Sequence, residues 1–314
     1  MKFLWLDEVY SDAWRAIGED ARRLHGTADY WDVALRDVGH DSDTFIENSA
    51  PDQMPRAIGF AKPDVLCVQN VGRWPARSLR EFKCKKVAFV SYRATDADMA
   101  DWDCVFTSFP WLVQYLKRLG RRVEFLPLAF GLPLLDRIEV PENRDLPLTF
   151  LGGIGHRHIW QKGTDVIAAV AETFPDHFQW WGYRPHKLPE ALEQTWQGEA
   201  WGRYYFQLLI RSRITLNRHG EIAQGFANNM RLFEATGCGA CLVTEHAPNL
   251  DDYLKPGVDC LTYKSADDLI YVLRTLLDKP DAAERIGLQG CKRCLVNHCY
   301  ENRVRQFLDV VESL

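Results

Sequence analysis

The stretch Ile214–Glu245, ITLNRHGEIAQGFANNMRLFEATGCGACLVTE, decides the architecture of the C-terminal half of this chain. It begins with an apolar run, Ile214–Asn217, and ends with another, Ala240–Thr244, each of the length typical of a buried strand. A polar loop containing glycines and a short helical pattern, Asn228–Thr236, lie between the two runs. The order strand, loop, helix, strand predicts a unit of a parallel sheet, in which ligands bind at the carboxyl ends of the strands.

The helix of this unit carries side chains suited to a phosphorylated ligand. Asn228 or Asn229 is predicted to be the N-cap, and backbone N–H groups at such a helix start bind anions. Arg231 and Glu234 are three residues apart and share one helix face. A guanidinium suits phosphate, and a carboxylate accepts hydrogen bonds from a diol such as ribose. The set is typical of a nucleotide-sugar pocket, although these residues taken alone fit a surface ion pair equally well.

The segment NNMRLFEATGCG, residues 228–239, resembles the FEAxxxG element of the group 1 glycosyltransferases of GT-B fold, and most closely their spore-maturation-type (CgeB-like) branch. The resemblance is strong over the C-terminal half and loose over the N-terminal half. It implies an α/β fold with two facing Rossmann-like domains, a cleft between them, and a donor ribose bound by Glu234. The wider group has a second glutamate eight positions earlier, where this chain has Phe226; the nearest upstream carboxylate is Glu221.

A second glycine-rich segment, LTFLGGIGHRHIWQKGTDVIAAVAE, spans residues 148–172. Its strand is followed by a turn containing Gly153, where the backbone can approach a ligand closely. Basic residues follow, and Lys162 stands where a helix opens, a combination that favours a diphosphate. The resemblance implies that Arg157 and Lys162 neutralise the pyrophosphate of the donor.

Two further pairs of candidate residues follow predicted strands. The resemblance implies that Tyr183 and Arg184, after the strand FQWW, hold the nucleobase; Tyr183 fits an interface aromatic equally well. Arg218 and His219 follow the strand ITLN and are expected at the same sheet edge as the glycine-rich segment. This convergence of basic groups in a chain of net charge -5 favours an anionic ligand over a solvated surface.

Three residues are candidates for the catalytic step, namely Glu221, His219 and Asp29. Asp29 lies in a long connection after the first strand, and the resemblance implies that this connection contributes acceptor-side residues such as His25, Asp29 and Tyr30. The alternative, which the sequence favours, is that Asp29 caps or solvates a helix start.

Apolar runs separated by helical patterns also organise the N-terminal half and predict a doubly wound parallel sheet. The predicted strands are Lys2–Leu6, Thr44–Glu47, Val65–Gln69, Lys86–Ser91, Cys104–Ser108 and Val123–Pro127. The predicted domains are an acceptor-side domain at residues 1–135, a nucleotide-sugar-binding domain at 146–299, and a C-terminal helix at 300–314 that crosses back. A proline-rich and charged linker is predicted at Phe130–Leu146.

Composition restricts the class of protein. The 314 residues are 46% hydrophobic and 26% charged, as in soluble globular proteins. The net charge of -5 argues against nucleic acid as a partner, and no apolar run approaches the roughly 18 residues of a membrane helix. Nine scattered cysteines fit a reduced, cytoplasmic protein. The basic clusters Arg73–Lys86 and Lys117–Arg122 are predicted to be solvated, with peripheral membrane contact as the alternative.

No metal site is predicted. The pairs Asp96/Asp98 and Asp101/Asp103 match a DxD pattern but flank a short predicted helix, where acidic residues are common. The residues Cys291, Cys294, His298 and Cys299 have zinc-like spacing. However, the window from residue 290 to 311 predicts one continuous helix, which favours packing over metal binding.

The sequence therefore predicts a metal-independent glycosyltransferase with no cofactor. Its donor is expected to be a nucleotide diphosphate sugar, with uridine diphosphate (UDP) favoured, and its acceptor is a saccharide, lipid, protein or metabolite. The resemblance suggests retention of anomeric configuration, with the stereochemistry left open by Phe226. The alternatives are a nucleotide-sugar epimerase or hydrolase, and a nucleotide-sugar-binding protein without catalysis.

Overall fold

A computed structural model describes residues 1–8, 27–47, 53–92, 94–155, 163–184 and 187–314, without the side chains of Glu8 and Glu47. The chain divides into two compact units. Unit 1 comprises Met1–Pro127 together with Tyr300–Leu314, and unit 2 comprises Leu128–Cys299. Each unit contains a wholly parallel sheet flanked by helices, as the alternation of strand and helix patterns predicts.

The sheet of unit 1 has six strands in the order β2-β1-β3-β4-β5-β6. They are β1 Lys2–Glu8, β2 Asp41–Glu47, β3 Val65–Val68, β4 Lys85–Phe89, β5 Cys104–Thr107 and β6 Val123–Phe125. Within the described part of this unit, the helices are α1 Thr27–Asp37, α2 Gln53–Ala61, α3 Pro110–Arg118 and the final helix of the chain, Tyr300–Glu312. All six predicted strands are present, and their ends lie within a few residues of the predicted ones.

An aromatic cluster forms the core of unit 1. Trp5 in the central strand lies 4.8 Å from Phe89, measured between ring centroids. Phe307 from the final helix lies 5.2 Å from both Trp31 and Phe106. Trp5 and Phe307 are fully buried. The final helix is thus part of this core, because its apolar stripe covers one face of the first sheet.

The sheet of unit 2 has five strands in the order β11-β10-β9-β7-β8. They are β7 Leu146–Leu151, β8 Phe178–Trp181, β9 Ser212–Asn217, β10 Cys241–Glu245 and β11 Leu261–Tyr263. The helices are α4 Thr164–Thr173, α5 Glu190–Thr195, α6 Gly202–Arg211, α7 Arg231–Gly237, α8 Ala266–Asp278 and α9 Pro280–Asn297. Strands β7, β9 and β10 are almost entirely buried, as expected for a parallel sheet covered on both faces.

The continuous helix predicted over residues 290–311 is wrong. Helix α9 ends at Asn297, and the final helix begins at Tyr300. His298 leaves the helical conformation, with φ -132° and ψ 35°, and its ring Nε2 lies 2.8 Å from the carbonyl oxygen of Tyr253. This contact with a distant segment fixes the break, which is why helical periodicity alone did not indicate it.

The half-buried side chain of Arg144 connects the ends of two helices. Its Nη1 donates to the carbonyl oxygens of Ile210 at 2.7 Å and Ser212 at 2.9 Å, at the end of α6. Its Nη2 donates to the carbonyl oxygen of Cys238 at 2.8 Å, just after α7. The last carbonyls of a helix lack partners within the helix and favour a cation, so Arg144 stabilises both ends and holds α6 beside α7.

Candidate functional site

The carboxyl edge of the second sheet brings several of the predicted site residues together. Gly153 follows β7, Tyr183 and Arg184 follow β8, and Arg218 and His219 follow β9. Strand β7 pairs in parallel with both β8 and β9, so the three strands end side by side. This edge is where open α/β sheets bind their ligands.

The glycine turn after β7 is fixed by a close approach of two backbones. The amide of Gly152 donates to the carbonyl oxygen of Trp181 at 2.8 Å, and that of Ile154 donates to Tyr183 at 3.1 Å. Gly182 has φ +150°, and a Cβ placed on it would lie 2.1 Å from the carbonyl oxygen of Gly152. Only glycine fits at position 182, because any side chain there would separate the two strand ends.

Arg218 places a positive charge beside this turn. Its side chain is largely buried, and Nη2 donates to the carbonyl oxygen of Gly153 at 2.9 Å. A Cβ on Gly163, the residue just before α4, would lie 3.1 Å from Nη1 of Arg218. The carboxylates of Glu245 and Glu221 also act on the Arg218 charge. A buried cation beside the positive end of a helix dipole still makes this an arrangement that suits an anionic ligand.

Burial lowers the pKa of Arg218 and also that of His219, and for the histidine this favours the neutral ring near pH 7. The Nε2 atom of His219 lies 3.0 Å from the carbonyl oxygen of Glu245, and the backbone amide of His219 donates to the Glu245 carboxylate at 3.1 Å. Because a carbonyl only accepts, Nε2 carries the proton and Nδ1 is an acceptor. Nδ1 is buried and has no hydrogen-bond partner among the described residues.

The predicted cap at Asn228 or Asn229 is wrong. Helix α7 begins at Arg231 with Met230 in the cap position, and no side chain caps it. The Asn229 amide instead donates to Oδ1 of Asn217 at 2.7 Å and to the carbonyl oxygen of Arg218 at 2.8 Å. It therefore ties the loop to the end of β9. Nδ2 of Asn228 and Oδ1 of Asn229 are buried and lack partners within the described parts of the chain.

Arg231 and Glu234 share one face of α7, as their spacing predicts, and a third side chain joins them. Nε of Arg231 lies 3.7 Å from Oε2 of Glu234. The hydroxyl of Tyr205, on α6, accepts from Arg231 Nε at 2.7 Å and donates to Glu234 Oε2 at 2.5 Å. Burial raises the pKa of Glu234, while Arg231 and Tyr205 oppose that rise. The result is a nearly buried carboxylate held by one guanidinium and one phenol.

Tyr183 and Arg184 contact a separate set of aromatic rings. Tyr183 meets Trp201 edge to face at a centroid distance of 5.1 Å. The guanidinium carbon of Arg184 lies 4.2 Å from the ring centroid of Trp196, and Arg184 also forms a 3.8 Å ion pair with Glu193. These groups provide flat surfaces beside the end of β8.

The other predicted residues are placed differently. Glu221 is exposed at the start of a short 3-10 turn, Glu221–Ala223. Asp29 is half-buried in the first turn of α1 and belongs to unit 1. Tyr30 is buried against Tyr300 within that unit. The predicted residues Arg157, Lys162 and His25 lie outside the described residues.

The acidic residues of the two DxD patterns have separate partners. Asp98 accepts from Thr95 Oγ1 at 2.6 Å, Asp101 pairs with Arg80 at 2.7 Å, and Asp103 accepts from the amide of Lys86 at 2.6 Å. Asp96 accepts from the hydroxyl of Tyr115 at 2.5 Å. Within the described ranges, no group of three or more His, Cys, Asp or Glu side chains has the arrangement of a metal site.

The cysteines considered for zinc make hydrogen bonds to the backbone. Cys291 Sγ lies 3.6 Å from the carbonyl oxygen of Gly237, and Cys294 Sγ lies 3.4 Å from that of Phe233. Burial raises the pKa of the Cys291 thiol, which disfavours the thiolate that zinc requires. The thiols of α9 thus serve to pack this helix against α7.

Sequence reasoning did not identify three residues that shape this site. Tyr205 lies on the apolar stripe of α6, so its hydroxyl carried no separate signal. Asn249 accepts from the amide of Ala227 at 2.7 Å and donates to its carbonyl oxygen at 3.1 Å, which fixes the loop from the far side. Glu245, which holds His219, ends β10; a search for polar residues at strand ends could have identified it.

Comparison with known proteins gives one family match. Residues 161–309 match the family model described as "Glycosyl transferase-like", a match that covers slightly less than half of the chain and includes all of Ile214–Glu245. No curated protein sequence matches the chain at a significant level. In the part of the chain that the structure describes, no helix is long and apolar enough to cross a bilayer.

Several solved structures have the same fold. A sucrose-phosphate synthase from Thermosynechococcus elongatus is 13% identical, with a TM-score of 0.66, covering 100% of this chain and 99% of that one. Anabaena Alr3699/HepE, in complex with UDP and glucose, is 12% identical, with a TM-score of 0.66 and full coverage of both chains. AviGT4, a glycosyltransferase involved in avilamycin A biosynthesis, is 15% identical, with a TM-score of 0.66, covering 100% and 98%. The predicted GT-B fold is confirmed.

Proposed function

We propose that this protein is a glycosyltransferase that moves a sugar from a nucleotide diphosphate sugar, preferably a UDP-sugar, to an acceptor. The observation that carries the proposal is the buried Arg218, which lies beside the glycine turn and the start of α4. Support comes from the glycosyltransferase-like family match and from the UDP bound in the structurally similar Alr3699/HepE. The spore-maturation-type branch is proposed on the resemblance of residues 228–239 alone.

In this proposal, unit 2 binds the donor. Glu234 binds the ribose, and Arg231 and Arg218 bind the diphosphate. Gly153 lets the backbone approach the phosphates, while Asn228 and Asn229 supply the buried polar atoms that lack partners among the described residues. Two further pairs complete the proposed donor site, Arg157 with Lys162 at the diphosphate and Tyr183 with Arg184 at the base.

The difficult step is departure of the nucleoside diphosphate, because negative charge grows on its leaving oxygen. We propose that side-chain cations stabilise this charge without a metal, since fixed charges in a partly dry site need little reorganisation as the bond breaks. Arg218 fits this role because burial strengthens its interaction with a phosphate.

The catalytic assignments are His219, Glu221 and Asp29. His219 is proposed to accept a hydrogen bond from a sugar hydroxyl through Nδ1, the buried acceptor without a partner in the described residues. Glu221 is exposed, and Asp29 is half-buried in α1 of unit 1. Retention of configuration is proposed on the resemblance, with Phe226 in place of the second glutamate.

The proposed organisation assigns residues 1–135 to the acceptor and 146–299 to the donor, with the helix 300–314 as the return segment. A cytoplasmic location and a saccharide, lipid, protein or metabolite acceptor complete the proposal. One observation favours a second function, a nucleotide-sugar-binding protein without catalysis: Phe226 occupies the position where the resemblance would place a carboxylate.

A thermal-shift series tests the donor assignment. UDP, UDP-sugars, and the corresponding adenosine, guanosine and thymidine compounds are added with and without EDTA. Selective stabilisation by uridine compounds in EDTA is the expected result, because a ligand of the folded state raises the midpoint by mass action. No shift with any nucleotide would refute the proposal. Incubation with the UDP-sugar alone then separates transfer from epimerisation or hydrolysis, which need no acceptor.

A further inference from the structure

The hydroxyl of Tyr205 links the two side chains assigned to the donor nucleotide. It lies 2.7 Å from Nε of Arg231 and 2.5 Å from Oε2 of Glu234. The guanidinium carbon of Arg231 also lies 5.2 Å from the centroid of the Tyr205 ring. Tyr205 is buried, and its position on α6 is separate in sequence from both partners on α7.

The direction of these hydrogen bonds follows from the available protons. Arg231 can only donate, so the Tyr205 oxygen accepts from it. The single phenolic proton of Tyr205 is then directed to Glu234 Oε2, which accepts it. The phenol thus favours the ionised carboxylate, which is the form that can accept from two ribose hydroxyls.

This arrangement leaves defined atoms for a ligand. Among the described residues, Oε1 of Glu234 and the terminal nitrogens of Arg231 have no hydrogen-bond partner. Arg144 holds the ends of α6 and α7 together, so the phenol and the carboxylate are carried by elements in fixed contact. We propose that Tyr205 is a positioning residue for the donor: it holds Glu234 ionised, with Oε1 available to the ribose, and presents the Arg231 fork to the diphosphate. This inference rests on the proposed function.

The effect of removing the hydroxyl depends on pH. Among the described residues, the titratable groups that interact with Glu234 are Tyr205 from α6, Arg231 from α7, and Cys238 just after α7. The thiols of Cys291 and Cys294, from α9, bond to backbone carbonyls of α7. Burial already raises the pKa of Glu234, and loss of the phenol raises it further, so protonation occurs at a higher pH.

Calorimetric titration of UDP from pH 5 to 8 tests the proposal with two variants. Tyr205→Phe keeps the ring and removes only the hydroxyl. Tyr204→Phe is the matched control, because Tyr204 immediately precedes Tyr205 on α6 and is 52% exposed. At pH 7.5 we expect UDP to bind the Tyr205→Phe protein about tenfold more weakly, as for a lost hydrogen bond to a charged group. The control should stay within about twofold.

The pH profile and a second nucleotide identify the mechanism. As the pH falls, UDP affinity should decline at a higher pH in Tyr205→Phe than in the wild type. The loss should be smaller for 2′,3′-dideoxy-UDP, which offers no diol to Glu234. An unchanged pH profile with equal losses for both nucleotides would show that Tyr205 only supports the fold. Failure of the wild type to bind any nucleotide would instead overturn the proposed function, and this inference with it.

A double-mutant comparison covers the case in which Tyr205→Phe fails to fold. Glu234→Gln removes the buried charge that the phenol stabilises. A protein that carries Tyr205→Phe together with Glu234→Gln should therefore fold. If Tyr205 acts through Glu234, the double variant should bind UDP as weakly as Glu234→Gln alone, within about twofold. A further tenfold loss in the double variant would contradict the proposal.

Discussion

Replacing Arg218 by methionine should separate ligand binding from fold stability. The guanidinium is buried, bonds to the Gly153 carbonyl oxygen at 2.9 Å, and lies at the start of α4. Without a ligand, the variant loses this hydrogen bond but no longer buries a cation beside a helix N-terminus. These effects oppose each other, and we expect the unfolding free energy of the free protein to change by no more than about 1 kcal/mol.

Binding should respond much more strongly. A hydrogen bond to a charged group contributes about 1.5–3 kcal/mol, which corresponds to roughly 10- to 150-fold in affinity. At a UDP concentration of about 100 times the wild-type Kd, UDP stabilises the wild type by about 2.7 kcal/mol. For a unit the size of unit 2, that is a midpoint shift of roughly 5–11 °C. A 30-fold weaker variant would gain only about 0.9 kcal/mol, or roughly 2–3 °C.

The assay is differential scanning calorimetry with and without UDP at low and high salt. Arg274→Met is the matched control, because Arg274 is an exposed arginine on α8 of the same unit. The control should keep the full UDP shift. A full UDP shift in Arg218→Met would refute the assignment of Arg218 to the ligand. A loss of several kcal/mol of unfolding free energy in the ligand-free variant would instead make Arg218 a structural residue.

Burial raises the pKa of Glu234 above its ordinary value, so folding takes up a proton and this group's contribution to stability falls as pH rises through the folded pKa. As the pH rises from 4.5 to 8, the unfolding free energy of Glu234→Gln, measured in urea, should therefore increase relative to that of the wild type. The variant should also bind UDP more weakly. A loss of stability relative to the wild type at pH 8 would contradict the raised pKa of Glu234. Lys162→Ala should lower kcat about 100-fold at saturating substrates, with partial recovery in Lys162→Arg, because charge on the leaving group is stabilised; a normal kcat and KM would exclude Lys162 from the diphosphate site. Asn249→Ala leaves both polar backbone groups of Ala227 without this partner and should lower stability by about 1–3 kcal/mol; a change below 0.5 kcal/mol would mean that the loop is held otherwise. Transfer activity should persist in EDTA. If EDTA abolished the activity and magnesium or manganese restored it, the proposed metal-independent reaction would be contradicted.

The sequence predicted the strands because buried parallel strands appear as short apolar runs, as in Lys2–Leu6. Pairing of Arg231 with Glu234 was also predictable, because helical spacing places them on one face. The failures have a different cause. Asn229 was predicted to cap a helix, but its side-chain amide donates hydrogen bonds to residues at the end of β9. The break at His298 likewise depends on the distant Tyr253 carbonyl.

Tyr205 shows the same limit within the site itself. Helical periodicity predicts only that the Tyr205 ring is part of the apolar face. The hydrogen bonds of its hydroxyl depend on α7, which places Arg231 and Glu234 beside it. Local patterns predict elements and faces, whereas hydrogen bonds between elements depend on tertiary packing. The least predictable part of the candidate site is therefore the part that orients its charged groups.

The position of Phe307 in the core of unit 1 has a consequence for biosynthesis. Residues 1–127 leave the ribosome before unit 2, yet one face of their sheet is covered only by a helix made some 170 residues later. Unit 2 is continuous in sequence and has all its strands by Tyr263, so it can complete its core while the first unit still exposes Trp31 and Phe106. At roughly 5–20 residues per second, that exposure lasts on the order of ten seconds or more. During synthesis, unit 1 thus begins to emerge before unit 2 but is completed after it, and chaperones that recognise aromatic surface would act on it.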